Sequence, residues 1–159
     1  MSLLEFLKPE AVVPVLKCTC KKEALAEISA YAAKLTGRDE TEVFEVLLQR
    51  ERLGSTGIGE GIAIPHGKLA NMGRLFGLVA RLEKPIDFEA LDGQPVDILF
   101  LLLAPEGAGA DHLKALSQVA RVLRDQEVLD RLRAARDADA IYAVMTGTSA
   151  LKSRKDEAT

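Results

Sequence analysis

Tryptophan is absent from this chain of 159 residues, and aromatic residues make up only 4% of it. Proteins that bind single-stranded nucleic acid commonly stack bases on aromatic side chains, so the composition disfavours that class. Positive charge is scarce too, because 24 acidic residues outnumber 21 basic ones and leave a formal net charge of −3. Phosphate backbones need a basic face, and the sequence therefore predicts no nucleic-acid partner.

Cysteines and long apolar runs are also few. Cys18 and Cys20 are the only two cysteines, too few for a disulfide framework, and with two histidines they match no zinc motif. We interpret them as plain thiols at a strand–helix junction. No run approaches the roughly 20 apolar residues that span a bilayer. Charged residues and proline interrupt residues 1–17, which therefore do not form a signal peptide. We expect a cytoplasmic protein without a membrane span.

The order of predicted elements indicates a single α/β domain with helices on both faces of a sheet. Apolar runs predict strands at 11–16, 74–82 and 97–105, and a loop at 85–96. Periodicity and capping signals predict helices at 21–35, 39–50, 111–124, 125–136 and 137–146. The strand at 97–105 lacks polar alternation, which is typical of a strand covered on both faces. We assign residues 1–150 to the domain and 151–159 to a polar tail.

The most distinctive stretch is GSTGIGEGIAIPHGKL, residues 54–69. Its glycines permit close approach of the backbone, and Pro65 fixes the chain entering His66. One imidazole is thus presented beside backbone N–H groups and the hydroxyls of Ser55 and Thr56. This setting suits an imidazole that a bulky anionic donor must reach.

Two nucleotide-binding motifs are excluded in the same stretch. The dinucleotide fingerprint G-x-G-x-x-G needs a third glycine where isoleucine stands, and its glycines should follow a strand. A Walker loop needs Gly-Lys-Ser/Thr, but Leu69 follows Gly67 and Lys68.

Two further residues are candidates for the same site. Arg50 continues the apolar stripe of helix 39–50 after Leu47, so it either satisfies the helix C-terminus or points at His66. His112 lies in the first turn of the helix that follows the buried strand, on one face with Val119. It is either a half-buried structural histidine or the partner of His66, at a helix N-terminus that favours anions.

These residues resemble a known family. The stretch 54–69, preceded by LLQRERL and followed by PVDILFLLLAP and DHLKALSQVARVL, is similar to enzyme IIA of the bacterial phosphoenolpyruvate:sugar phosphotransferase system. The likeness is to the fructose/mannitol type, nearest its nitrogen-regulatory subgroup, and runs from about Cys20 to Thr146. It implies a mixed central β-sheet between helices, the IIA type-2 fold.

The resemblance also implies site roles. His66 would accept a phosphoryl group on Nε2 from the phosphohistidine of an HPr-type carrier, with His112 as the second catalytic histidine. Arg50 would bind the phosphate, with Ser55 and Thr56 as further phosphate-binding candidates. A neutral imidazole is a good nucleophile near pH 7. The transition state of phosphoryl transfer is loose, so positioned side chains and N–H groups can balance its charge, and we predict no metal and no cofactor.

Three alternatives remain open or are set aside. Absence of a IIB segment in this chain favours a regulatory role over a sugar-transport IIA that passes phosphate to a separate IIB. A non-catalytic module that docks a partner through the loop is the alternative from another class. A hydrolase is disfavoured because no G-x-S-x-G motif is present. We expect a weak, transient carrier contact, for which Ile58 and Leu69 are candidates that could instead fold into the core. We expect Glu60 to point to solvent, away from the phosphate.

Overall fold

The structure, a computed structural model, describes residues 2–147. The predicted tail 151–159 and the last three residues of the predicted domain lie outside them. In chain order the elements are a short 3-10 helix at Leu3–Glu5, β1 (Leu7–Leu16), α1 (Lys21–Thr36), α2 (Glu40–Arg52), β2 (Gly57–Gly59), β3 (Ile62–Ala63), β4 (His66–Leu69), β5 (Phe76–Ile86), β6 (Val96–Pro105), α3 (Ala110–Arg124), α4 (Gln126–Ala134) and α5 (Ala138–Thr146). Among the residues described, no helix is long and apolar enough to cross a membrane.

The strands form one mixed sheet in the order β1-β5-β6-β3-β2, and β4 also pairs with β6. β5 runs antiparallel to β6, whereas β3 and β4 both run parallel to it. Strand β6 is buried along nearly its whole length, as the missing polar alternation predicted. Helix α1 packs on α2, and α4 packs on both α3 and α5. The mixed sheet flanked by helices is therefore confirmed.

Pro14 of β1 and Pro85 of β5 each lie where strand pairing does not need the missing N–H. β1 lies at one edge of the sheet, where Pro14 is tolerated as expected because an edge strand needs fewer donors. The predicted loop at 85–96 begins too early, since β5 continues to Ile86, which pairs with Val96. Pro85 falls in the irregular part of that pairing, between Arg81 and Ile86, where no ladder donor is required.

The predicted loop that carries His66 is instead three short strands. Ala63 pairs with Leu99 and His66 pairs with Leu102, so β3 and β4 keep one register along β6. Pro65 interrupts them because it has no N–H to donate. Its carbonyl still accepts from the amide of Leu102 at 3.0 Å. Pairing with β6 thus orders a segment whose glycines and proline locally favour a loop.

The two cysteines lie between β1 and α1, at the predicted strand–helix junction, and both are free thiols. Burial, followed by the charge of Glu23, raises the pKa of the Cys18 thiol to about 11. The thiol therefore stays protonated at neutral pH and is a poor nucleophile.

Strand β4 packs against helix α2. Side chains alternate along a strand, so Gly67 and His66 face opposite sides. Gly67 faces α2, since a Cβ there would overlap the side chain of Val46. His66 faces the other side, toward His112 of α3. Glycine at position 67 lets α2 approach β4 closely enough for Arg50, in its last turn, to reach the imidazole.

We predict that Gly67→Ala destabilises the protein by about 1–3 kcal/mol, because the added methyl group overpacks the contact with Val46. Thermal unfolding measures the loss. Gly73→Ala is the matched control, since a Cβ at Gly73 meets no atom within 4 Å. Adding Val46→Ala should restore part of the loss, because it frees the overlapped volume. Equal melting temperatures for Gly67→Ala and Gly73→Ala would contradict the packing described.

Candidate active site

His66 is half-buried at the start of β4, and its two ring nitrogens have different partners. Nδ1 lies 2.8 Å from the carbonyl oxygen of Ile64. A carbonyl only accepts hydrogen bonds, so Nδ1 carries the proton. Nε2 accepts from Nε–H of Arg50 at 3.2 Å. The ring is therefore the neutral Nδ1–H tautomer, and its lone pair is on Nε2.

Arg50 reaches the imidazole from the last turn of α2. Its Nη1 donates to the carbonyl of Gly54 at 3.0 Å while its Nε–H contacts His66 Nε2. The side chain thus links the end of α2, the glycine-rich segment and the imidazole. Of the two interpretations open for Arg50, the structure matches the one that directs the guanidinium at His66.

His112 is buried in the first turn of α3, with 7% of its surface exposed. Its ring centroid lies 5.6 Å from that of His66, at an interplanar angle of 67°. Its Nε2 is buried and has no hydrogen-bond partner among the described residues. An orphaned buried nitrogen is costly, so a group that it could contact is expected to enter this site.

Both imidazoles are held in the neutral form near pH 7. Burial lowers the pKa of His66 and the charge of Arg50 lowers it further, although the bond to the Ile64 carbonyl and the charge of Glu51 oppose them. Burial also lowers the pKa of His112, and repulsion from Lys68 and from a protonated His66 acts in the same direction. A neutral His66 offers its Nε2 lone pair as a nucleophile.

Ser55 and Thr56 lie close to the site but their hydroxyls are engaged elsewhere. Ser55 Oγ donates to the carbonyl of Phe88 at 2.8 Å and accepts from Gly57 N–H at 3.0 Å. Thr56 is buried, and its hydroxyl donates to Glu51 at 2.6 Å. Their role as phosphate contacts stays a prediction.

The hairpin before His66 turns at Glu60 and Gly61, whose φ angles are 60° and 81°. Both values lie in the left-handed region used by two-residue hairpin turns. The Glu60 side chain is exposed, as expected, while its backbone accepts from Arg133 at 2.7 Å and donates to Asp92 at 3.1 Å. The anion is thus kept out of the space between the imidazoles.

Neither of the two residues predicted to contact the carrier, Ile58 and Leu69, is fully exposed. Leu69 is 1% exposed and belongs to the core, so the prediction that it contacts a partner is wrong. Its side chain alternates to the same face as Gly67, which packs toward α2. Ile58 is half-buried and packs against the core.

Sequence reasoning missed two charged residues of this region. Lys68 lies two positions beyond His66 on the same face of β4, and its charge lowers the pKa of His112. That Lys68 shares a face with His66 becomes evident only once residues 66–69 are known to form a strand. Glu51 is 5% exposed and bonds to Thr56. A glutamate among the arginines at the end of a helix gives no local sign of burial. No group of three potential metal ligands was found within residues 2–147.

The mixed sheet and the sequence together identify the class of protein. Residues 5–147 match the family described as "Phosphoenolpyruvate-dependent sugar phosphotransferase system, EIIA 2". The chain therefore belongs to the EIIA type-2 family of this phosphotransferase system.

The matching proteins include nitrogen regulatory proteins and a IIA mannitol structure. The nitrogen regulatory protein of Bradyrhizobium diazoefficiens is 62% identical over 145 residues, which cover 91% of this chain and 95% of that protein. The crystal structure of nitrogen regulatory protein IIA-Ntr from Neisseria meningitidis matches with a TM-score of 0.86 at 35% identity, covering 91% of this chain and 100% of that one. The structure of IIA mannitol from Escherichia coli shares the fold, with a TM-score of 0.72 at 20% identity over 87% of this chain and 97% of that one.

We predict that His66 and His112 titrate with midpoints below 6.5, the ordinary pKa of histidine. The unfolded chain then binds more protons than the folded one as the pH falls through 6.5, so both residues reduce stability on acidification. NMR titration of the imidazole signals measures the midpoints. In Arg50→Ala the His66 midpoint should rise, because a neighbouring positive charge is removed.

Arg136→Ala is the matched control, since Arg136 is an exposed arginine beyond the end of α4. A His66 midpoint at or above 6.5 in the unmodified protein would contradict this electrostatic description.

Proposed function

We propose that this protein is a phosphocarrier in which His66 Nε2 accepts a phosphoryl group from the phosphohistidine of an HPr-type carrier. The observation that carries the proposal is the fixed tautomer of His66, whose proton on Nδ1 leaves the Nε2 lone pair facing Arg50. Family membership supports the same chemistry, since phosphotransferase-system components pass phosphoryl groups.

The transfer conserves atoms and charge. The Nε2 lone pair of neutral His66 forms a bond to phosphorus while the P–N bond of the donor phosphohistidine breaks. The donor ring recovers its lone pair and becomes neutral, and the His66 ring becomes positively charged. The carbonyl of Ile64, which accepts from Nδ1–H at 2.8 Å, stabilises that positive ring.

Arg50 and His112 meet the incoming charge. Arg50 occupies the Nε2 lone pair before the reaction, so its Nε–H must leave it as the P–N bond forms. The guanidinium is then placed to pair with phosphoryl oxygens, which suit its fork of donors. His112 Nε2, buried without a partner, donates to another phosphoryl oxygen. Ser55 and Thr56 are proposed as further contacts of the phosphate.

The biological role that best agrees with the relatives is regulation of nitrogen or general metabolism from the cytoplasm. Proteins named as nitrogen regulatory account for the similarity at 62% identity and for the structural match at 35% identity. The mannitol IIA structure stands at 20% identity, a level that supports the fold alone. We therefore place a regulatory IIA ahead of a sugar-transport IIA.

We predict that His66→Ala abolishes phosphorylation, because it removes the ring nitrogen that forms the bond to phosphorus. His112→Ala slows transfer and still permits labelling, since it removes a donor to the phosphoryl group and not the nucleophile. Incubation with phosphoenolpyruvate, enzyme I and an HPr-type carrier, followed by intact mass, measures both. Circular dichroism checks that both variants are folded. Acid-labile phosphate on His66→Ala would overturn the assignment.

The carrier also needs a surface to dock on. Three leucines that are connected to elements of the site are highly exposed. They are Leu53 at 84%, Leu91 at 80% and Leu113 at 67%. Leu53 follows α2, Leu91 donates its N–H to the carbonyl of Gly57, and Leu113 follows His112. We propose these residues, named the leucine surface, as the docking site for the HPr-type carrier.

We predict that Leu113→Glu slows phosphorylation by the carrier but leaves labelling by a small phosphoramidate unchanged, because only the carrier needs the leucine surface. Val15→Glu is the matched control, since Val15 is also exposed, at 51%, but lies on edge strand β1. The comparison of the two donors is decisive. Equal loss with both donors would mean that Leu113 shapes the site itself and that docking occurs elsewhere.

A further inference from the structure

Glu51 is a buried carboxylate beside Arg50 for which the reaction described above has no use. Its side chain is 2% exposed. Oε1 accepts from Thr56 N–H at 2.9 Å and pairs with Lys21 Nζ at 3.1 Å, and Oε2 accepts from the Thr56 hydroxyl at 2.6 Å. A buried carboxylate is costly unless its oxygens are paired and bonded, as they are here.

Hydrogen bonds, together with the chain from Gly54 to Thr56, lead from Glu51 to both nitrogens of His66. The amide of Ile64 donates to the carbonyl of Thr56 at 3.0 Å, and the carbonyl of Ile64 accepts from His66 Nδ1. On the other side, Gly54, two residues before Thr56, accepts from Arg50, whose Nε–H contacts Nε2. Both partners of the imidazole are therefore attached to the segment that Glu51 holds.

The other side of Glu51 is neutralised by Lys21, at the start of α1. The lysine side chain is only 19% exposed, and its Nζ lies 5.4 Å from the ring centroid of Phe88. The carbonyl of Phe88 in turn accepts from Ser55. Lys21 of α1 and Glu51 of α2 thus form one ion pair beside the segment 54–56. Glu51 bonds directly to Thr56, and Lys21 is connected to Ser55 through Phe88.

We propose that Glu51 is a positioning residue that fixes the tautomer and orientation of His66 by holding Thr56. The effect on phosphoryl transfer rests on the proposed function, whereas the effect on the imidazole does not. If Thr56 is released, Ile64 loses the hydrogen bond from its amide to Thr56, and its carbonyl is positioned only by the β6 pairing on either side. The hydrogen bond from Nδ1–H to that carbonyl is then weakened. Both neutral tautomers of His66 are then populated, so Nε2 carries the lone pair only part of the time. A nucleophile that is misplaced in this way accepts the phosphoryl group slowly.

The main test variant is Glu51→Met combined with Lys21→Met. It removes both charges and the acceptor for Thr56 but keeps side chains of similar volume, a replacement that buried ion pairs often tolerate. Glu51→Gln is the conservative variant, because its amide oxygen can still accept and the Thr56 hydroxyl can accept from its NH₂. Glu89→Gln is the matched control. Glu89 also pairs with Lys21, at 3.4 Å, but its side chain is 76% exposed.

Two readouts separate positioning from stability. Imidazole ¹⁵N shifts of the unphosphorylated protein report the His66 tautomer, and single-turnover labelling reports transfer. We expect the double variant to show averaged nitrogen shifts and a rate lower by about 10- to 100-fold. Glu51→Gln should recover most of the loss, and Glu89→Gln should match the unmodified protein. All measurements are made where circular dichroism shows folded protein.

The outcomes are distinct. A folded double variant with unmodified nitrogen shifts and rate would overturn the positioning role of Glu51. If the double variant does not fold, Thr56→Val and Thr56→Ser replace it, and equal His66 shifts in these two would overturn the role instead. Failure of the unmodified protein to label at all would reject the proposed function, and the nitrogen shifts would still test Glu51.

Discussion

The hydrogen bond between His66 Nδ1 and the carbonyl of Ile64 is the constraint on which the site depends. It decides which nitrogen is protonated and therefore which one can react. The carbonyl can accept because Pro65 interrupts the strand between β3 and β4 at this point. The pairing with β6 on either side keeps the interruption rigid. A break in regular structure is here the means of orienting a side chain.

Charge near the imidazoles differs in sign from charge over the whole molecule. The chain carries a formal net charge of −3, yet Arg50 and Lys68 both lie near the histidines and act on their pKa values. Glu60, the anion nearest in sequence within the hairpin, has an exposed side chain. Local placement of cations can thus favour a phosphoryl group in a protein whose overall charge does not attract anions.

Local sequence signals were sufficient for the helices and the buried strand β6, and for Arg50 and His112 they left a structural role and a position beside His66 both open. Those features depend on periodicity, on caps and on one long motif. The strands inside the glycine-rich stretch could not be predicted, because β2 and β3 pair over only a few residues, and β3 and β4 both depend on pairing with β6. The burial of Leu69 depends on that same pairing. Glu51 was missed because its partners, Lys21 and Thr56, are brought to it by tertiary packing.

The parallel pairing of β4 with β6 also sets the order in which the site is assembled. His66 lies beside Leu102, and His112 follows on the next helix, so neither strand pairing nor the second imidazole is available to a shorter chain. Closing such a non-local contact has an entropic cost that is offset only when β6 is in place. During synthesis, His66 therefore leaves the ribosome well before pairing with β6 can position its ring. The contact between the two imidazoles therefore forms only after β6 and α3 are in place.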